Sequence, residues 1–143
     1  MLLVWLIIGQ TGILYAQDSY NVPASGNQTV TTCDAWVFDP GGETGLYGSY
    51  NDGYLIIYPG TTNGVVCLVE GTYNTESSFD KIKIYNGAGT NGTPLVEWTG
   101  AGNVTTPIIS SASNGALTIS FTSDASVNRD GFAFKLSRLA GMS

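Results

Sequence analysis

The sequence predicts an all-β fold built as a two-sheet antiparallel sandwich of the jelly-roll kind, and three observations carry that prediction. Apolar residues come in short alternating runs, turn signals recur at intervals of about ten residues, and no helix-length window keeps a 3.6-residue period. Composition agrees, since Gly accounts for 19 of 143 residues and Thr and Ser are abundant. A small barrel is the alternative architecture.

Taken in order, residues 17–25 are polar and read as an extended lead-in. The runs 28–32 (QTVTT) and 36–38 are short and β-rich, and Asp39-Pro40-Gly41-Gly42 closes the second with a strong turn signal. Residues 45–53, GLYGSYNDG, have to fold back tightly. Tyr54–Tyr58 (YLIIY) is apolar almost throughout, as in a strand covered on both faces, and Pro59-Gly60 stops it. A strand over 65–69 follows a Thr-Thr-Asn-Gly turn. In the stretch 79–87, FDKIKIYNG, Ile82 and Ile84 alternate with Lys81 and Lys83, and Asn86-Gly87 ends the run. The lysines belong on its solvated face. Residues 94–98 (PLVEW) predict an edge strand, because Pro begins it. A short strand starts at Pro107. Leu117, Ile119 and Phe121 alternate cleanly, as do Phe132, Phe134 and Leu136 in the last run. Trp36 and Trp98 read as core or half-buried strand residues. With no internal repeat and no linker, residues 17–143 are expected to form one domain.

Charge and leader narrow the function. The net charge is −6, with five Lys or Arg and no His, which argues against nucleic acid, because phosphate binding needs clustered cations. It suits divalent cations or a basic protein partner. Residues 1–16, MLLVWLIIGQTGILYA, carry no charge and are too short to span a bilayer as a helix. Ala16 before Gln17-Asp18 resembles a signal-peptidase site. The expectation is therefore a signal peptide over 1–16 and a secreted or cell-surface chain without membrane insertion in its mature form. Cys33 and Cys67 fit that compartment as a single disulfide, worth about 4 kcal/mol in the chain-entropy model; two buried thiols are the alternative. Asn27, Asn91 and Asn103 head Asn-x-Thr sequons, which matter only in a eukaryotic secretory pathway.

Three acids stand out by position. Asp80 begins the FDKIKIYNG strand, Glu76 precedes it by four residues in a polar loop, and Asp124 ends the alternating run FTSD. As isolated signals they equally suit turn residues that cap backbone amides, which is also the reading for Asp39 and Asp52.

From Cys33 to Leu136 the chain resembles the CUB domain family of extracellular β-sandwich modules, and most of all its bacterial form in secreted Bacteroidota proteins. The resemblance rests on several features in the right order: Cys33, the Asp39-Pro40-Gly41-Gly42 turn, the Tyr47/Tyr50 loop, Val66-x-Leu68, Glu76, Phe79-Asp80, IYNG, Trp98-x-Gly100 and Pro107. The run FTSD, followed by Asp130-Gly131-Phe132, completes it. The chain departs from the animal pattern in placing Cys67 where the family's second cysteine would lie earlier, near Asn51 or Asp52, and in a shorter separation between Glu76 and Asp80.

The resemblance implies a calcium site at Glu76, Asp80 and Asp124. Calcium takes six to eight oxygens, commonly two or three carboxylates with carbonyls, amides or water, and without a cation three convergent carboxylates repel. Ser126, through its backbone or that of Ala125, and the side chain of Asn128 or Asp130 are the candidates for further oxygens. Arg129 lies beside the acids in the same loop. The resemblance also implies that the calcium-held loops receive a basic side chain of a partner protein. Tyr47, Tyr50 or Trp98 offers the alternative, a carbohydrate-binding surface; a passive spacer or adhesin domain is a third reading. Catalysis is disfavoured, because without His there is no ordinary nucleophilic triad and no His-ligated zinc, and a compact sandwich leaves little room for a glycosidase cleft.

Overall fold

The structure is a computed structural model and describes residues 17–138. The leader expected over 1–16 and the residues 139–143 lie outside them. Eleven strands occur among the described residues: β1 Ser19–Asn21, β2 Asn27–Thr31, β3 Ala35–Phe38, β4 Tyr54–Tyr58, β5 Cys67–Asn74, β6 Lys81–Asn86, β7 Val96–Trp98, β8 Ala101–Asn103, β9 Ile108–Ile109, β10 Leu117–Thr122 and β11 Gly131–Leu136. One sheet runs β1-β3-β11-β5-β8, with β9 also pairing β5; the other runs β2-β4-β10-β6-β7. The pairs are antiparallel except β1 with β3 and β2 with β4, which are parallel at one edge of each sheet. The lead-in of the chain thus becomes an edge strand.

The alternating runs explain the core. Leu117, Ile119 and Phe121 of β10 face Phe132, Phe134 and Leu136 of β11 across the sandwich, all within one cluster of buried residues. Phe121 meets Phe132 edge-on at 5.8 Å, Phe132 stacks on Phe134 at 4.7 Å, and Trp98 tilts onto Phe134 at 5.5 Å. Such pairs add about 0.5–1.5 kcal/mol each beyond their burial. The opposite face of β10 is also covered, and its Thr118 hydroxyl donates to the Gly87 carbonyl at 2.8 Å while accepting from the Gly89 amide at 2.8 Å. No buried hydroxyl is left without a partner at this turn.

Besides β1 and β8, the latter within residues 100–106 that the sequence suggests as a turn, two strands differ from expectation. Tyr54–Tyr58 buries only Leu55 and Ile57, while Tyr54, Ile56 and Tyr58 are half-buried, because β2 and β10 flank its edges and nothing closes its outer face completely. β5 extends past the expected end at Val69 to Asn74, through Gly71, where an added Cβ would stand 2.2 Å from the Ala133 carbonyl oxygen. Close approach of β11, which no local propensity signals, extends the strand. The edge position of β7 is as expected, and Glu97 on it lies 3.5 Å from Lys81 and 3.8 Å from Lys83 of β6 on the solvated face.

The expected disulfide is not formed. Cys33 and Cys67 are both buried and unpaired. The Cys33 thiol donates to the Val65 carbonyl at 3.8 Å and accepts from the Gly60 amide at 3.4 Å, so the backbone linking β4 to β5 occupies its bonding directions. Burial pushes the Cys67 thiol up from its ordinary value. The folded chain is expected to be inert to a thiol reagent such as DTNB at pH 8 and to release two equivalents once unfolded in denaturant. Zero equivalents from the unfolded chain would restore the bridge.

Candidate metal centre

Three connections meet at one end of the sandwich: 39–53 between β3 and β4, 75–80 between β5 and β6, and 123–130 between β10 and β11. Their lengths differ, and hydrogen bonds fasten them to one another. The Tyr50 amide donates to the Asp124 carbonyl at 2.9 Å and the Tyr47 amide to the Arg129 carbonyl at 3.1 Å. Asn51, buried, donates through its side-chain amide to the Gly48 carbonyl at 2.6 Å and to the Ser123 hydroxyl at 3.0 Å.

The short separation of Glu76 and Asp80 is one helical turn. The Asp80 amide donates to the Glu76 carbonyl at 3.0 Å, which closes a five-residue turn and brings both side chains to the same side. Thr75 and Thr99 hydroxyls then hold the Asp80 carbonyl at 3.1 and 2.8 Å. Asp124, arriving from the end of β10, completes a group in which the three carboxylates each offer an oxygen within 4.8 Å of the others.

Asp80 is fully buried and its two oxygens have different partners. Oδ2 accepts from the Tyr47 hydroxyl at 2.6 Å, and Oδ1 accepts from the Asp124 amide at 2.9 Å. The same tyrosine oxygen accepts from the Glu76 amide at 3.0 Å, so one phenol links both acids of the turn. Burial, then the hydrogen bond to Asp80, raises the Tyr47 hydroxyl well above its ordinary value and keeps it a donor. Glu76 as a residue is half-buried, yet its Oε1 is shut off from solvent and has no hydrogen-bond partner. Its carboxyl is raised from its ordinary value, first by desolvation, then by the neighbouring Asp124 and Asp80 carboxylates, against the pull of Arg129. The arrangement stores repulsion that a cation would relieve.

These residues fit a hard divalent cation. The group offers oxygen donors only, with three acids and one orphaned buried oxygen, which is the preference of calcium rather than of a nitrogen- or sulfur-seeking metal. Ser126 and Asn128 lie in the adjoining loop rather than in the group of three: the Ser126 amide donates to Asp124 Oδ1 at 3.2 Å, and Asn128 Oδ1 accepts from the Ser49 hydroxyl at 3.4 Å. The Ala125 carbonyl accepts from the same hydroxyl at 3.0 Å. Arg129 is exposed beside the acids.

Tyr47 and Tyr50 do not share a surface, because Tyr47 is 1% exposed and Tyr50 74%. Trp98 lies at the open edge of the sandwich, stacked on Tyr73 at 5.1 Å. Asp39 is the turn residue its sequence suggested, accepting from the amides of Gly41 at 2.8 Å and Phe132 at 3.0 Å. Sequence reasoning did not find Tyr47 as the support of Asp80, nor Thr75, Thr99, Ser49 and Ser123 as the fasteners of the loops. Apart from the Thr75 bond to Asp80, which spans five residues, their partners stand 19 or more positions away in the chain, so no local spacing marks them.

No family model matches the chain, and no curated protein does. Among solved structures it is similar to the crystal structure of the MASP-1 CUB2 domain bound to Ca2+, at 19% identity and a TM-score of 0.57, covering 78% of this chain and 97% of that one. It is also similar to part of the full extracellular region of zebrafish Gpr126/Adgrg6, at 16% identity and a TM-score of 0.50, covering 80% of this chain and 15% of that one. Two sheets packed face to face, with acid-bearing loops gathered at one end, give this chain a CUB-like β-sandwich fold.

Proposed function

We propose that the chain is a secreted, non-catalytic CUB-like interaction module in which calcium, bound by Glu76, Asp80 and Asp124, fixes the loops that meet a basic side chain of an extracellular protein partner. The single observation behind the metal is Glu76 Oε1, enclosed and without a hydrogen-bond partner among three carboxylates within 4.8 Å of one another. A buried carboxylate oxygen left unpaired is costly, and a calcium ion satisfies it directly. The calcium in the similar MASP-1 CUB2 structure supports the same choice of metal. Oxygens of Ala125, Ser126 or Asn128, or water, complete the shell. The acids and a net charge of −6 favour a cationic partner.

Thermal melts after chelation, across a calcium series and a magnesium control, test this reading. Calcium at about a hundred times its dissociation constant stabilises by about 2.7 kcal/mol, roughly 10 °C of melting temperature for a domain of this size. A flat response would leave the three acids as loop residues.

A further inference from the structure

The loops that carry the acids also carry most of the chain's exposed large apolar side chains. Six such residues are exposed among those described, and four of them lie here: Leu46 (61%) and Tyr50 (74%) in 39–53, Phe79 (63%) in 75–80, and Val127 (45%) in 123–130. Each of the three loops contributes. The backbone holds them at a cost. Of the four non-glycine residues with positive φ, Tyr50 (59°), Ser78 (74°) and Val127 (61°) belong to these loops, two of them being exposed apolar residues and the third preceding Phe79 directly. A β-branched valine in that region is an outlier that only the surrounding structure can impose. None of these side chains joins the core cluster.

We propose that these four residues form an apolar collar around the acidic centre, and that the collar selects protein segments in which a basic residue is flanked by apolar ones. This rests on the calcium reading of the site. Charge complementarity decides the class of occupant. A chain with a net charge of −6 and five Lys or Arg in all repels an anionic lipid surface, whereas the carboxylates attract a cationic side chain. Tyr50 and Phe79 carry rings, but Leu46 and Val127 are aliphatic and offer none to a sugar, so the set of four suits neighbouring leucine or aromatic side chains rather than stacking on a glycan. The basic group meets the acids and the flanking groups meet the collar, an arrangement of polar centre and apolar surround that excludes water from the ion pair.

Two synthetic pentapeptides test the inference in saturating calcium, one with lysine flanked by leucines and one with lysine flanked by serines, each titrated by NMR. The leucine-flanked peptide is expected to bind about tenfold more tightly, since partial burial of two leucines supplies that ratio. In the double variant Tyr50→Ser/Phe79→Ser the ratio falls towards one, while the calcium-induced melting shift is retained, because neither residue belongs to the group of three carboxylates. Equal binding of the two peptides, or a preference that survives in the variant, overturns the collar with the calcium site intact. Absence of any calcium shift overturns the site itself and the collar with it. Calcium-dependent sedimentation with vesicles of phosphatidylserine and phosphatidylcholine, lost in the double variant and unaccompanied by a peptide preference, would replace the protein partner with a membrane surface.

Discussion

Asp80→Ala is expected to lower stability in chelator by about 3–5 kcal/mol, more than the loss of either other acid, because two buried donors depend on it. The Tyr47 hydroxyl, 1% exposed, donates to one of its oxygens, and the Asp124 amide donates to the other. Truncation leaves both donors without acceptors in a space too closed for free hydration. The fully buried Asp80 side chain also fills volume between the 39–53 loop and β6, so a cavity adds to the loss. Asp80→Asn keeps one acceptor for one of the two donors and is expected to cost roughly half as much. Urea unfolding in chelator measures both. An Asp80→Ala variant within about 1 kcal/mol of the parent would show that this carboxylate does not hold the loops together.

Asp124→Asn is expected to reverse its effect with the metal. In chelator the variant melts higher than the parent, because it removes one of three mutually close carboxylates. The amide oxygen of Asn can still accept from the Ser126 amide, so the local turn survives. In saturating calcium the order inverts. The parent gains about 2.7 kcal/mol at a hundredfold excess over its dissociation constant, and the variant, with one charged ligand fewer, gains much less. Paired melts of the two proteins, with chelator and with calcium, show the crossing. The same order in both conditions would mean that Asp124 is not a ligand.

The architecture was legible because it depends on period and punctuation. Leu117, Ile119 and Phe121 announce a one-sided strand wherever they stand in the chain, and Asp39-Pro40-Gly41-Gly42 announces a turn. What failed depended on neighbours. YLIIY looks doubly covered, yet three of its five side chains are only half-buried, because coverage of a strand's outer face is set by elements elsewhere. The strand expected over 65–69 runs on to Asn74, because Gly71 lets β11 approach. The two cysteines suggested a bridge, but pairing requires their Cα atoms to come within reach and the side chains to face each other, and neither condition is written in spacing.

The candidate site divides along the same line. The sequence by itself determined that the chain forms short alternating strands, that its charge is net acidic with few cations, and that Glu76, Asp80 and Asp124 stand at strand ends where loops can gather. Only the tertiary structure decided that they do gather, that Glu76 and Asp80 meet through a single turn, that Tyr47 is buried to hold Asp80 rather than exposed to bind, and that the loops bearing the acids also expose apolar side chains. The physical reason is range. Strand period and turn chemistry act between residues a few positions apart, whereas the bond from Tyr47 to Asp80 spans 33 residues and that from Asp124 to Asp80 spans 44, so they exist only once both sheets are in register.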